Sequence, residues 1–303
     1  MKYGEYERCT LCHRACGVNR YEKLGFCKTG ADVKLARAAL HMWEEPPISG
    51  TRGSGTIFFS GCSMSCIYCQ NREISRGDVG ATVSTERLSG IMLELEDQGA
   101  HNINLVTPTH FTPTVIDAVA LSRSMGLSIP IVYNTGNYDT KETLCSLSGT
   151  VDIYLPDAKY RVKRTARLYS SAEKYPEVFL ENIAEMLLQT GGCSFDKDGI
   201  MKRGVITRVL LLPSHLAEAK LIVSDLYRAF GDDIYISLMS QYTPPGGMPS
   251  PLDRKVTRSE YNELVDYAMS IGVKNAFIQE GAAADESFIP PFDLRGVHKN
   301  ETT

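Results

Sequence analysis

From about residue 55 to residue 278 the chain alternates short apolar runs with longer stretches whose apolar residues recur at three-and-four spacing. That alternation is the pattern of parallel strands joined by crossover helices, and it restricts the fold to the α/β class. Strands are expected over 56–59, 103–106, 129–133, 151–155, 205–212 and 234–238, with 276–278 a seventh short run that closes or extends the sheet. Helices are expected over 85–98, 114–125, 176–189, 216–230 and 259–271, the first capped by Ser84 or Thr85. Six such units curl into an incomplete barrel or lie as an open doubly wound sheet, and periodicity does not separate the two. In either, ligands collect at the C-terminal ends of the strands.

The length of 303 residues suits one barrel-sized domain with a small appendage. A formal net charge of −4 argues against a generally basic nucleic-acid binder, and 43% hydrophobic with 22% charged residues argues against wholesale disorder. The chain has no apolar run of membrane-spanning length, and its start lacks the apolar stretch of a signal peptide. A soluble, cytoplasmic protein is therefore expected. The Pro- and Gly-rich loop 241–252 and the tail after Gly281 follow strand ends; each either covers a site or crosses the surface.

Of nine cysteines, four stand at Cys9, Cys12, Cys16 and Cys27 and three at Cys62, Cys66 and Cys69, while Cys145 and Cys193 stand alone and read as a core thiol and a loop thiol. In a reducing cytosol such close spacing points to metal or redox chemistry rather than structural disulfides. The three-cysteine run, from Ser60 to Asn71, begins where the first strand ends, so the thiols belong on a loop at the mouth of the sheet. Three thiolates hold a cubane cluster by three of its irons, one short of the usual four, and leave the last iron open to a reactant. A zinc loop would need a fourth ligand, and no histidine or carboxylate stands nearby in the sequence to supply it. The four-cysteine group satisfies tetrahedral zinc or a closed cluster equally well, with a redox pair at Cys9 and Cys12 as a third option.

The Cys-x3-Cys-x2-Cys spacing, with Tyr68 just before the last cysteine, resembles the signature of the radical S-adenosylmethionine (SAM) superfamily. A closer resemblance, carried by Cys9 to Arg20, Trp43 to Gly50 and Cys69-Gln70-Asn71, is to the pyruvate formate-lyase activating-enzyme-related group of that superfamily. It implies an α/β fold with a partial (β/α)6 barrel over 51–281, a small N-terminal cysteine-rich metal-binding lead over 1–50 and a C-terminal tail over 282–303. It also implies a [4Fe-4S] cluster on Cys62, Cys66 and Cys69 whose open iron is chelated by SAM. Reductive cleavage of SAM then yields a 5′-deoxyadenosyl radical that abstracts hydrogen from a substrate, such as a glycyl residue of a partner enzyme. A low-potential donor such as flavodoxin or ferredoxin is implied, together with sensitivity to oxygen.

The same resemblance assigns residues at successive strand ends. Thr107-Pro108-Thr109-His110 stands where activases carry Gly-Gly-Glu for the SAM ammonium, so hydroxyls of Thr107 and Thr109, backbone carbonyls and His110 take the place of a carboxylate. Asn134 falls at a SAM or cation contact that is an aspartate in activases. Asp157 and Lys159 match an Asp-x-Lys pair, with Lys159 for the SAM carboxylate. Arg208 takes the place of an arginine near SAM, and Gln241 that of a ribose-contacting histidine. The segment 159–167 carries five cations in nine positions, a solvated helix face or a site for an anionic partner. The alternatives are a radical SAM enzyme acting on a small molecule, peptide or RNA, and a metal-stabilised binding module on a degenerate barrel.

Overall fold

The computed structural model describes residues 2–279 and 289–299. Of the stretch read as a C-terminal tail, only 289–299 lies within them. The described strands are β1 (Val33–His41), β2 (Ser54–Phe59), β3 (Ala81–Val83), β4 (Ile103–Val106), β5 (Ile131–Thr135), β6 (Ile153–Pro156), β7 (Ser194–Phe195), β8 (Met201–Leu210), β9 (Tyr235–Met239) and β10 (Ala276–Ile278). The helices are α1 (Gly4–Glu7), α2 (Pro46–Ser49), α3 (Arg72–Ser75), α4 (Thr85–Asp97), α5 (Thr112–Ser124), α6 (Lys141–Ser146), α7 (Lys163–Ser170), α8 (Tyr175–Thr190), α9 (Leu216–Phe230) and α10 (Arg258–Ser270).

The strands form a sheet in the order β10-β9-β8-β6-β5-β4-β2-β1-β3, with β7 paired to β8. From β2 to β10 the pairing along this path is parallel, as the alternation of strand and helix requires. β3 and β10 stand at opposite ends of the order, so the sheet is open, and the run 276–278 extends it as a seventh parallel strand. β1 adds to the other side, antiparallel to β2. The sheet thus takes in a strand from the stretch read as lead, one its alanines conceal, because Ala is a poor strand former.

Side chains alternate between two faces. Ile131, Tyr133, Tyr154 and Val205 pack with the helices in the large core. Val132, Ile153, Leu155 and Ile206 point the other way and gather with Met201 around Ile48 of α2. The link between β1 and β2 therefore plugs the inner face. It is pinned by Asn102 Nδ2, which donates to Ile48 O at 2.7 Å, and by Glu44 N, which donates to Ser49 Oγ at 2.9 Å. Two helices carry side-chain caps: Ser84, one of the two residues expected, accepts from Arg87 N on α4, and Thr257 forms a reciprocal box with Glu260 on α10. Cys145 is exposed on α6 rather than a core thiol, and Cys193 is half-buried. Among the described residues no helix is long and apolar enough to cross a membrane.

Candidate active site

β2 ends at Phe59, and Gly61 then turns the chain with φ +87°. A side chain at Gly61 would meet Cys27 O at 2.5 Å and Thr29 Cγ2 at 2.6 Å, so the N-terminal segment lies directly on the cysteine loop and only glycine fits between them. Beyond it, Cys62, Cys66 and Cys69 line one cavity of about 250 Å³ with Met64, Tyr68 and Asn71. Burial, then the neighbouring thiols Cys66 and Cys69, push Cys62 up to about 12; burial and Cys66 push Cys69 up to about 11. Three thiols gathered in one cavity are a donor set suited to a positively charged core, since metal binding displaces their protons.

Two of these sulfurs already accept hydrogen bonds. Met64 N donates to Cys62 Sγ at 3.3 Å, and Ser170 Oγ donates to Cys66 Sγ at 2.9 Å. Ser170 is in turn linked to Tyr160 at 2.6 Å, and Tyr160 to Tyr68 at 2.8 Å, a buried hydroxyl chain that ends at the cysteine loop. Hydrogen bonds to ligand sulfurs are among the means by which proteins set cluster potentials. Among the described residues no three His, Cys, Asp or Glu side chains converge on one ion. A single zinc would bring its sulfurs to within about 4 Å of one another, whereas a cubane takes one thiolate per iron and holds them farther apart. The donor set and its cavity fit the larger group.

The opposite wall of the cavity is charged. Arg208, on β8, donates from Nε to Asp157 Oδ1 at 2.9 Å and from Nη2 to Asn134 Oδ1 at 2.6 Å. Lys159 Nζ lies 2.6 Å from Asp157 Oδ2. Although burial pushes Asp157 up, Arg208 and Lys159 outweigh it and hold the carboxyl below its usual value. Burial likewise pulls Lys159 down, but Asp157 leaves it raised. Thr107, at φ +60°, and Gln241, after β9, complete the set facing the thiols.

Of the residues expected at strand ends, Thr107, Asn134, Asp157, Lys159, Arg208 and Gln241 thus share this cavity with the three cysteines. Thr109 and His110 are not among its lining. Thr109 is buried against Thr135 at 3.4 Å, and His110 Nε2 is bonded to Ser60 O at 2.8 Å, beneath the turn at Gly61. Burial, followed by the charge of Arg20, lowers His110 to about 3, so the ring is a neutral strut. The basic segment divides as well: Lys159 faces the cavity, while Arg161 pairs with Asp225 and Lys163 with Glu177 outside.

Sequence reasoning assigned no role to Glu44, which lines the same cavity with its Oε2 at 3.6 Å from Arg208 Nη1. An acidic pair followed by Pro46-Pro47 was the available signal. It also overlooked Arg14, whose guanidinium reaches the carbonyls of Ser63 at 2.7 Å, Met64 at 2.9 Å and Ser170 at 2.6 Å, and that of Ser171. Arg14 lies over the Phe26 ring at 4.0 Å and ties the N-terminal segment to both the cysteine loop and α7.

In that segment Cys9, Cys12 and Cys27 are buried and Cys16 is exposed. Burial raises Cys12 to about 12, with Cys9 and Cys27 adding to it; Cys9 is raised by burial and then by Cys16 and Cys27. The four thiols are neighbours. Backbone pairing of His13 N to Tyr138 O at 3.0 Å and of Thr140 N to Leu11 O at 3.3 Å docks them beside the end of β5.

The three-cysteine loop lies within a match to a known family. Residues 49–160 match the 4Fe-4S single cluster domain. The match includes Cys62, Cys66, Cys69 and the strand-end residues through Lys159; Arg208, Gln241 and the N-terminal cysteines lie outside it. The chain is 26% identical over 272 residues to an uncharacterized protein of Methanocaldococcus jannaschii, covering 87% of this chain and 75% of that one. Its fold is similar to that of a radical SAM methyltransferase from Sphaerobacter thermophilus, with a TM-score of 0.53 and 14% identity over 75% of this chain and 66% of that one. SuiB of Streptococcus suis, crystallised with its precursor peptide SuiA, matches with a TM-score of 0.50 and 12% identity over 72% of this chain. The chain spans about half of SuiB, at 46%. At these identities the likeness is one of fold.

Proposed function

We propose that the protein is a radical SAM enzyme that cleaves SAM reductively and abstracts hydrogen from a substrate. The observation that carries this reading is the meeting, in one cavity at the C-terminal ends of the parallel strands, of three thiols with a wall of opposed charges from Asp157, Lys159 and Arg208. Cys62, Cys66 and Cys69 would hold a [4Fe-4S] cluster. When bound, that cluster would supply the electron for reductive cleavage of SAM, from which hydrogen abstraction would follow.

The residues of the chain do the rest. Lys159 is placed to pair with the carboxylate of SAM, while Asp157 holds Lys159 and Arg208 in register. Glu44, not a residue of 107–110, brings a carboxylate within reach of an ammonium group. Tyr68, Met64, Phe58 and Val106 form apolar parts of the cavity wall that keep water from a reactive centre. Gln241 stands at the rim, its carbonyl accepting from Gln70 Nε2 at 2.9 Å.

The finer reading is activation of a partner enzyme at a glycyl residue, with a flavodoxin or ferredoxin as donor; the resemblance over Cys9 to Arg20 and Trp43 to Gly50 supports it. Anaerobic reconstitution with iron, sulfide, reductant and SAM should yield 5′-deoxyadenosine. A glycyl radical detected by electron paramagnetic resonance in a partner protein supports activation. Deoxyadenosine formed with no such radical in any partner points to a small molecule, peptide or RNA.

A further inference from the structure

We propose that Glu45 forms the recognition site for a cationic group of the substrate, an alkylammonium or a guanidinium, in a second cavity that shares a wall with the first. This cavity, of about 490 Å³, lies between the link after β1 and the edge formed by β9 and β10, where the sheet is open. Its lining includes Trp43, Glu45, Ser237, Phe277 and Ile278, and it meets the thiol cavity along Glu44 and Arg208.

Charge carries the argument. Glu45 is only 7% exposed, and its Oε2 has no hydrogen-bond partner among the described residues. The cation facing it, Arg208, is already spent: it is bonded to Asp157 and Asn134, and Glu44 approaches it at 3.6 Å. Lys159, the other cation lining the thiol cavity, lies against Asp157 at 2.6 Å. Among the described residues, Asp157, Glu44 and Glu45 are thus three carboxylates around two cations, and Glu45 is the one with an oxygen left unpartnered. His41 adds no charge, because burial and then Arg37 lower its affinity for a proton. A buried carboxylate oxygen without a partner is costly unless something enters to meet it. Burial, and after it the neighbouring Glu44, push Glu45 up to about 7 against the pull of Arg208, and a bound cation would reverse that shift. The apolar walls at Phe277 and Ile278 suit the stem of an alkylammonium, and the Trp43 indole suits its head.

The inference rests on the radical SAM reading only in naming the bound molecule as substrate; binding is measured without turnover. Trp43, the one tryptophan in the chain, lines both cavities, so with SAM saturating the first its fluorescence reports on the second. Reconstituted protein saturated with SAM, kept anaerobic at fixed ionic strength, is titrated with n-butylammonium and with 1-butanol. The ammonium should alter the emission saturably at concentrations about tenfold or more below those needed for the alcohol. Glu45→Gln should abolish that preference. Ile278→Lys, at the exposed mouth, should weaken binding of the ammonium and spare that of the alcohol, which keeps the test open if Glu45→Gln fails to fold. Equal binding of the two probes, an unchanged preference in both variants, or displacement of the ammonium by SAM overturns the proposal. Deoxyadenosine assayed on the same samples separates the two readings. Its formation without cation preference removes only this inference, and cation preference without it removes only the assigned reaction.

Discussion

Ser170 Oγ donates a hydrogen bond to Cys66 Sγ at 2.9 Å, from the last residue of α7 to the middle cysteine of the loop. Such a bond favours the more negative, reduced state of a cluster held by that sulfur. Ser170→Ala should lower the midpoint potential of the reconstituted cluster by up to about 60 mV, the equivalent of about 1.4 kcal/mol for one electron. Potentiometric titration followed by electron paramagnetic resonance measures it, and an unchanged potential would show that Ser170 only supports the loop.

Arg208 grips Asp157 and Asn134 with its planar fork, which a lysine does not reproduce. Arg208→Lys should therefore weaken SAM binding about tenfold or more while the secondary structure is retained. Calorimetric titration of the reconstituted protein with SAM checks this, with circular dichroism as the control for folding.

The Arg14 guanidinium spans carbonyls of the cysteine loop and of the end of α7. Arg14→Gln leaves several of them without a donor and should cost about 2–3 kcal/mol of stability. Iron bound per chain after reconstitution should fall with it, because the loop loses its tether to the N-terminal segment. Denaturant unfolding and iron analysis of the same preparation give the two numbers.

His110 sets an acid limit to stability. Its proton affinity is lowered to about 3 in the fold, against about 6.5 when unfolded, so below pH 6.5 the unfolded chain binds a proton that the native chain refuses. This contribution is fully present above pH 6.5 and is lost as pH falls toward 3. Between pH 7 and pH 5 the wild type should lose about 2 kcal/mol more than His110→Asn. Urea unfolding at the two pH values measures the difference, and parallel losses would contradict it.

Much of this architecture was legible in the chain because buried parallel strands leave near-continuous apolar runs: 103–106 and 276–278 are strands over those same residues, and 216–230 is a helix over its full expected length. β1 was not, since its nine residues from Val33 to His41 include a single β-branched one, Val33, and it is held by antiparallel pairing with β2. At the site, thiols and strand-end charges were visible through spacing and order. The inward turn of Glu44 and Glu45 was not, because it depends on Ile48 filling the inner face, a contact between segments far apart in sequence. His110 was misleading for a related reason. A polar residue after a strand reads as a ligand, whereas its ring is consumed by the carbonyl of Ser60.

The central claim is that Cys62, Cys66 and Cys69 hold a [4Fe-4S] cluster whose fourth iron is left for SAM. Electron-nuclear double resonance on the reduced, reconstituted protein with SAM labelled by oxygen-17 in its carboxylate tests it most directly. A strong coupling to the label, lost in Cys66→Ala, is the result expected. A reduced cluster that shows no coupling to bound SAM, or a loop that takes up only zinc, would contradict the account.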